Sequence, residues 1–157
     1  MIENPKSLIE DFRQAIQMLD LKCGSIEVES QPAPHQPHKL PSGKCAVYVF
    51  SITDQHACSA GAHRVLKIGK VGPNSNARFQ YQHYNPSSAS STLSGRLLND
   101  KIFWRYLGIS KMNILEVGDW IKDNTDRDNF YLLSKDKAVL ELLERYLRGT
   151  LSPVFEG

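Results

Sequence analysis

The chain has 157 residues, 41% hydrophobic and 23% charged, which is enough to bury the hydrophobic core of one domain. The formal net charge is only +2, so any binding to nucleic acid must come from local clusters of Lys and Arg, not from bulk basicity. No apolar run approaches the roughly 18 residues of a membrane span, and the N-terminal segment MIENPKSLIEDF carries acids where a signal peptide needs bases. Three irregularly spaced cysteines, Cys23, Cys45 and Cys58, favour a reducing, cytoplasmic location without membrane contact.

The first predicted elements are a helix and an extended connector. Residues 4–21 carry apolar side chains at helical spacing, with Asn4 as the N-cap and Pro5 in the first helical position. Residues 31–43 contain four prolines, which exclude a regular helix or a central strand. We therefore predict an extended connector in which His35 and His38 are solvated.

Two strands are predicted next. Residues 45–52, CAVYVFSI, are rich in β-branched and aromatic residues and apolar on both faces, which predicts a strand covered on both sides. RVLKIGK follows a polar loop and predicts a second strand, most simply antiparallel to the first. Asn74 or Ser75 then caps a short helix that includes Arg78 and ends before Asn85.

The second half of the chain has weaker patterns. The serine-rich segment near residues 88–95 predicts a loop or a helix entry, and residues 96–107 have helical spacing. The periodicity of ILEVGDWIKDN fits a strand or a helix. Residues 136–149 predict a helix that Gly149 and Pro153 end.

These elements predict an α/β (α+β) fold in which a small mixed or antiparallel sheet is flanked by helices. We interpret residues 1–157 as one domain. Residues 1–44 form the N-terminal helix and the proline-rich connector, and residues 45–157 form the core, with an insertion at about 87–135.

Three side chains around the two strands point to phosphate chemistry. Tyr48 and Lys67 lie on neighbouring strands, where side chains alternate with a period of two, so they can face one another, and Arg78 follows in the next helix. The loop GKVGPNS has neither the Walker pattern nor a G-x-G-x-x-G fingerprint, which excludes both nucleotide-loop interpretations. A carboxylate that binds a divalent metal would complete a phosphodiesterase centre.

The last predicted helix offers this carboxylate. At 100° per residue, Glu144 lies about 40° from Leu140, at the border of the apolar face. A carboxylate there is partly shielded and still accessible to a metal ion. Glu141 lies in the middle of the polar face and is predicted to be an ordinary surface acid.

These residues resemble the motifs of the GIY-YIG nuclease superfamily. Residues 46–48, AVY, are similar to the G-I-Y tripeptide, residues 67–69, KIG, are similar to Y-I-G, and Arg78 follows at the family's distance. The family's closing pattern is a glutamate on a helix, followed nine residues later by proline and then by an aromatic residue. Three residues match that pattern: Glu144, Pro153 and Phe155.

The resemblance covers residues 45–84 and 138–156 and implies hydrolysis of DNA phosphodiester bonds with one Mg²⁺ or Mn²⁺ ion per active site. It implies that Glu144 holds the metal and that Arg78 stabilises the phosphorane charge. Tyr48 would help to activate the attacking water, and Lys67 replaces the second tyrosine of the family. Because cleavage of both strands of a duplex needs two active sites, we expect a homodimer or an activating protein partner. Restriction or phage defence is the expected setting.

The chain also departs from the family pattern. Ala46 replaces the first glycine, the loop between the two motifs is long, and Glu156 stands where the family has a late asparagine. Gln82 occupies the place of the histidine that follows the arginine. His83 would lie about 140° around a regular helix from Arg78, so His83 can act in catalysis only if this helix begins irregularly.

Four basic residues are predicted to bind the DNA substrate: Lys70, Arg96, Lys101 and Arg105. The last three are interleaved with Phe103, Trp104 and Tyr106, which either stack on bases or pack the inserted region onto the core.

Three other interpretations stay open. A zinc site built from Cys45, His56, Cys58 and His63 lacks the spacing of a standard tetrahedral site. The alternative function is a catalytically silent nucleic-acid-binding or adaptor module of the same fold. The third interpretation is an unrelated α/β binding protein in which the motif match is coincidental.

Overall fold

A computed structural model of the chain describes residues 2, 4–53, 64–88 and 92–155. In these residues the elements are, in chain order, α1 (Pro5–Gln17), β1 (Glu27–Gln31), β2 (Lys44–Ile52), β3 (Val65–Val71), a π-helical turn (Arg78–Gln82), α2 (Leu93–Asn99), α3 (Lys101–Tyr106), α4 (Val117–Asn124), β4 (Thr125–Leu133) and α5 (Lys137–Leu151). The strands form an antiparallel sheet in the order β1-β4-β2-β3. This arrangement confirms the predicted α+β class and the antiparallel pairing of β2 with β3. Within the described ranges, every helix is too short or too polar to cross a bilayer.

The sheet separates two hydrophobic clusters because side chains alternate along each strand. One face of β2, which carries Val47 and Val49, packs against α1 and α5. The other face, which carries Tyr48 and Phe50, packs against the segment that contains α2, α3 and α4. Every residue of β2 after Lys44 is buried, which confirms the prediction of a strand covered on both sides.

Strands β1 and β4 are not apparent from the sequence pattern. β4 lies between β1 and β2, so the insertion predicted at about 87–135 includes a central strand of the sheet. Its first half is the polar run TDRDN, and all five of these residues are buried. Buried polar side chains need hydrogen-bond partners, and those of β4 come from distant parts of the chain. Hydrophobic periodicity therefore cannot identify this strand.

The helices differ from their predicted bounds in three places. α1 ends at Gln17, four residues before the predicted end. The helical spacing of residues 96–107 is divided between α2 and α3 at Asp100, whose side chain accepts a hydrogen bond from the Phe103 amide at 3.1 Å. α5 continues through Gly149 to Leu151 and ends where Ser152 adopts a positive φ of 46°.

The prediction that His35 and His38 are solvated is wrong. His35 is only 3% exposed, and its Nδ1 donates to the Thr125 carbonyl at 2.7 Å. His38 is partly exposed, and its Nε2 lies 2.8 Å from the Tyr131 hydroxyl. Both contacts join the proline-rich connector to β4. The two histidines are therefore part of the packed structure.

The C-terminal tail hydrogen-bonds to β3 at the edge of the sheet. The Val154 amide donates to the Val65 carbonyl at 2.9 Å, and the Phe155 amide donates to the Leu66 carbonyl at 2.8 Å. The Phe155 ring is buried and packs on Phe103 at a centroid distance of 5.4 Å. The tail thereby fastens α3 to the strand that carries Lys67.

Candidate active site

Tyr48 and Lys67 lie on the same face of the sheet, two residues out of register. Tyr48 pairs with Gly69, and Lys67 pairs with Phe50. The two side chains are therefore diagonal neighbours and do not lie directly opposite one another. The Tyr48 ring covers Gly69 so closely that a Cβ atom on Gly69 would lie 2.3 Å from the Tyr48 hydroxyl. Both Tyr48 and Lys67 are almost completely buried.

The π-helical turn brings Arg78 and His83 to Tyr48. His83 Nε2 lies 2.7 Å from the Tyr48 hydroxyl, and Arg78 Nε lies 3.4 Å from it. A regular α-helix would separate the two residues, but π-helical hydrogen bonds join residues five apart and bring such residues closer to one side. The irregular helix that a catalytic role of His83 requires is therefore present. The prediction that Asn74 or Ser75 caps this helix is wrong, because neither side chain makes a capping hydrogen bond.

The hydrogen bonds of His83 determine its tautomer. The Leu93 amide donates to His83 Nδ1 at 3.2 Å, so Nδ1 carries no proton. Burial and the positive charges of Arg127, Arg78 and Lys67 hold the pKa of His83 well below its usual value. His83 is therefore neutral with its proton on Nε2, which donates it to the Tyr48 oxygen.

The Tyr48 oxygen thus accepts from His83 and faces a second donor, Arg78. Burial raises the pKa of Tyr48 above its usual value, and the hydrogen bond and charge of Arg78 oppose this effect. Arg78 is partly exposed, whereas Tyr48 and His83 are buried. Of these three residues, Arg78 is the one that a phosphate group in solvent can reach directly.

Glu144 lies on the other side of β3, on α5, and is only 7% exposed. Its carboxylate contacts Lys70 Nζ at 2.5 Å and Arg148 at 3.1 Å. Lys70 Nζ also lies 2.6 Å from the carboxylate of Glu141. Burial lowers the pKa of Lys70, but its hydrogen bonds with Glu141 and Glu144 outweigh burial and raise this pKa above its usual value.

Lys67 is coupled electrostatically to both groups of residues. Burial lowers the pKa of Lys67 to about 8, and the nearby charges of Arg78, Arg96 and Arg148 act in the same direction, whereas Glu144 opposes them. The structure therefore joins Tyr48, Arg78 and His83 by direct contact. It joins Glu144 with Lys70 and Arg148 in a second contact group, and Lys67 responds to charges from both groups.

The lowered pKa of Lys67 predicts a pH-dependent stability. Between about pH 8 and 10.5 the unfolded lysine binds more protons than the folded one, so the free energy of unfolding rises with pH. We expect this rise to be about 1–3 kcal/mol in the wild type and to be absent in Lys67→Met. Urea unfolding at about pH 7.5 and about pH 9.5 measures the difference, with the exposed Lys111 replaced by Met as the control. Equal pH dependence in the two variants would contradict the prediction.

Glu141 and Glu144 share one partner, the ammonium group of Lys70. In the described part of the chain, no group of three or more His, Cys, Asp or Glu side chains is placed to hold a metal. One or two carboxylates with water fit a hard cation such as Mg²⁺.

The zinc interpretation includes Cys45 as a ligand. Cys45 is buried, and its thiol faces the Leu132 and Leu133 carbonyls. His56, Cys58 and His63 lie outside the described residues, as does Glu156.

The three aromatic residues of the inserted region differ in how they pack. Phe103 is buried, and Trp104 donates to the Leu97 carbonyl at 2.6 Å, so both residues pack the region onto the core. Tyr106 is half-exposed, next to the exposed Lys101 and Arg105 on α3. The contacts described for the chain do not join Lys101 or Arg105 to Tyr48, whereas the charge of Arg96 acts on Lys67.

Sequence reasoning missed Arg127, the largest fully buried side chain among the described residues. It pairs with Phe50 across β4 and β2, and its guanidinium lies 5.8 Å from the centre of the Tyr48 ring. The polar run TDRDN is typical of a surface segment, and a surface arginine is solvated. Only the position of this run in a central strand shows that Arg127 is buried.

Neither the protein-family models, nor the curated proteins, nor the solved structures compared with this chain gave a match.

Proposed function

We propose that the chain is a metal-dependent endonuclease that hydrolyses phosphodiester bonds of DNA, with a motif arrangement that resembles that of the GIY-YIG nucleases. The observation that carries this proposal is the convergence of Arg78 and His83 on the Tyr48 hydroxyl. Residues from a strand and from a helical turn meet there, next to a buried lysine, in an arrangement suited to an anionic substrate.

Tyr48 is suited to orient the attacking water. Because His83 donates to the Tyr48 oxygen and Arg78 points a second N–H at it, the phenolic O–H is directed to a third group. The same two donors stabilise negative charge on this oxygen when the proton leaves. Lys67 adds positive charge on the same face of the sheet and, with a pKa of about 8, is largely protonated at neutral pH.

Arg78 is suited to bind the scissile phosphate. It is partly exposed, and its guanidinium can bind two phosphate oxygens at once. Lys70 and Arg96 would hold flanking phosphates near the two contact groups, and Lys101 and Arg105 would contact DNA farther along α3.

Glu144 would hold the Mg²⁺ or Mn²⁺ ion. When bound, this ion supplies positive charge that stabilises the pentacoordinate phosphate. Lys70 would then release Glu144 and turn toward a phosphate, which its long flexible side chain permits. Duplex cleavage would require a second copy of the site, from a homodimer or from a protein partner.

Plasmid cleavage tests this proposal. We expect supercoiled DNA to be nicked or linearised with Mg²⁺ or Mn²⁺ and to stay intact with a chelator. Arg78→Ala is expected to lower the rate about a hundredfold, because it removes a donor to the transition-state charge. Arg145→Ala, which removes an exposed arginine on α5, is the control and should stay within about threefold of wild type. Absence of cleavage with either metal, or equal rates for the two variants, would refute the nuclease.

One observation favours the silent nucleic-acid-binding module. Tyr48 is 0% exposed and Lys67 is 1% exposed, as expected of residues that only support the core. Gel retardation of DNA that is insensitive to chelator and unchanged in Glu144→Ala, without cleavage under any metal, would select this alternative.

A further inference from the structure

Arg127 is a buried cation behind the proposed catalytic cluster. It is 0% exposed, and its guanidinium donates three hydrogen bonds to neutral oxygens. Nε donates to the Asn129 side chain at 3.0 Å, Nη1 to the Tyr84 hydroxyl at 3.1 Å and Nη2 to the Phe79 carbonyl at 2.9 Å. Burial of a charge is costly, so a cation held by neutral groups in the core calls for a specific role.

The third of these hydrogen bonds enters the π-helical turn. Phe79 is the second residue of the turn Arg78–Gln82, in which the change from α-type to π-type hydrogen bonds disturbs the regular pairing of backbone carbonyls. The guanidinium also lies 4.2 Å from the centre of the Phe79 ring, within the range of a cation–π contact. Arg127 therefore holds both the backbone and the side chain of Phe79.

A second nitrogen of the Arg127 guanidinium, Nη1, is anchored by hydrogen bonds of defined direction. His35 donates from Nδ1 to the Thr125 carbonyl, and burial lowers its pKa to about 4, so its Nε2 carries no proton. The Tyr84 hydroxyl must then donate to His35 Nε2, at 2.8 Å, and accept from Arg127. This chain of donors fixes the guanidinium relative to β4 and to the proline-rich connector.

We propose that Arg127 is a positioning residue, which holds the π-helical turn through the Phe79 carbonyl and thereby places Arg78 and His83 together on the Tyr48 oxygen. The hydrogen bonds of Arg127 go to Asn129, Tyr84 and Phe79, so Arg127 acts through the turn. The positive charge of Arg127 is also the main charge that keeps His83 neutral. The catalytic consequence rests on the proposed nuclease function, but the positioning itself can be tested without it.

The test compares Arg127→Lys with wild type by nitrogen NMR of the His83 imidazole. Lysine keeps the positive charge, but its single ammonium group cannot serve three separate acceptors in the geometry of the guanidinium. In wild type we expect one neutral tautomer, with the proton on Nε2. In Arg127→Lys we expect mixed tautomers and the loss of the hydrogen-bond signature between His83 and Tyr48.

Asp128→Asn is the matched control. Asp128 is the next residue on β4, is also fully buried, and points to the opposite face, where it accepts hydrogen bonds from Ser30 and the Ile2 amide. This variant should lower the melting temperature without changing the His83 signals. If Arg127→Lys does not fold, Tyr84→Phe takes its place, because it removes one acceptor of Arg127 and keeps the ring; the same change in the His83 signals is then expected.

Wild-type His83 signals in the folded Arg127→Lys variant, or in Tyr84→Phe where that variant replaces it, would overturn the proposal. With active enzyme, we also expect kcat to fall about tenfold or more while KM for DNA stays within about twofold, because displacement of the catalytic groups slows the reaction and leaves the DNA contacts in place. A parallel loss in kcat for Asp128→Asn would also overturn it. If wild type does not cleave DNA, the nuclease proposal fails, and the His83 signals still decide the role of Arg127.

Discussion

Glu144→Ala is expected to lower the rate of metal-dependent DNA cleavage by at least about a thousandfold. The carboxylate of Glu144 is the buried member of the acidic pair on α5, and its side chain is 9% exposed against 51% for Glu141. A metal held there is shielded from bulk water, so its charge acts strongly on a bound phosphate. Initial cleavage rates over a series of Mg²⁺ and Mn²⁺ concentrations measure the effect.

Glu141→Ala is the matched control for this prediction. Both glutamates contact Lys70, and they lie one turn apart on the same helix. We expect Glu141→Ala to keep its rate within about fivefold of wild type once the metal is saturating. Folding should survive in both variants, because Lys70 keeps one carboxylate partner in each of them. Equal loss of activity in the two variants would show that Glu144 has no special role.

Gly69→Ala is expected to destabilise the protein by about 2–4 kcal/mol and to abolish cleavage. A Cβ atom at this position would lie 2.3 Å from the Tyr48 hydroxyl and 2.6 Å from the ring carbon that carries it. The Tyr48 ring is packed on all sides and cannot move without disturbing its contacts with His83 and Phe50. The glycine of the KIG sequence is therefore required by the position of the tyrosine.

Gly72→Ala provides the comparison, because a Cβ atom on Gly72 would meet no atom within 4 Å. Gly72 follows the end of β3, so both variants change the same region of the chain by one methyl group. Urea unfolding should show a stability close to that of wild type for Gly72→Ala and a clear loss for Gly69→Ala. If the two variants are equally stable, the close packing of Tyr48 on residue 69 is incorrect.

The sequence allowed the prediction of elements whose burial follows local periodicity. β2, β3, α1 and α5 each carry apolar residues at regular spacing, and their positions agree with the structure apart from their ends. β4 could not be predicted in this way, because hydrogen bonds to distant residues satisfy the polar side chains in its first half. Its polar run therefore indicates a surface segment when it is read alone.

In the candidate site, too, contacts between distant residues could not be predicted from the sequence. Tyr48 and Arg78 were identified from their motifs, and the structure brings them together. His83 was predicted to lie on the wrong side of a regular helix, because the π-helical turn depends on contacts with residues far along the chain. Leu93 holds the imidazole and Arg127 holds the Phe79 carbonyl. Neither contact leaves a pattern in the residues around His83.

The two hydrogen bonds from the C-terminal tail to β3 also affect how copies of the protein meet in solution. β3 ends the sheet, and a bare end strand offers backbone groups to strands of other molecules. The amides of Val154 and Phe155 donate to the carbonyls of Val65 and Leu66, the first two residues of this strand. The tail therefore shields the beginning of the edge strand from pairing with strands of other molecules.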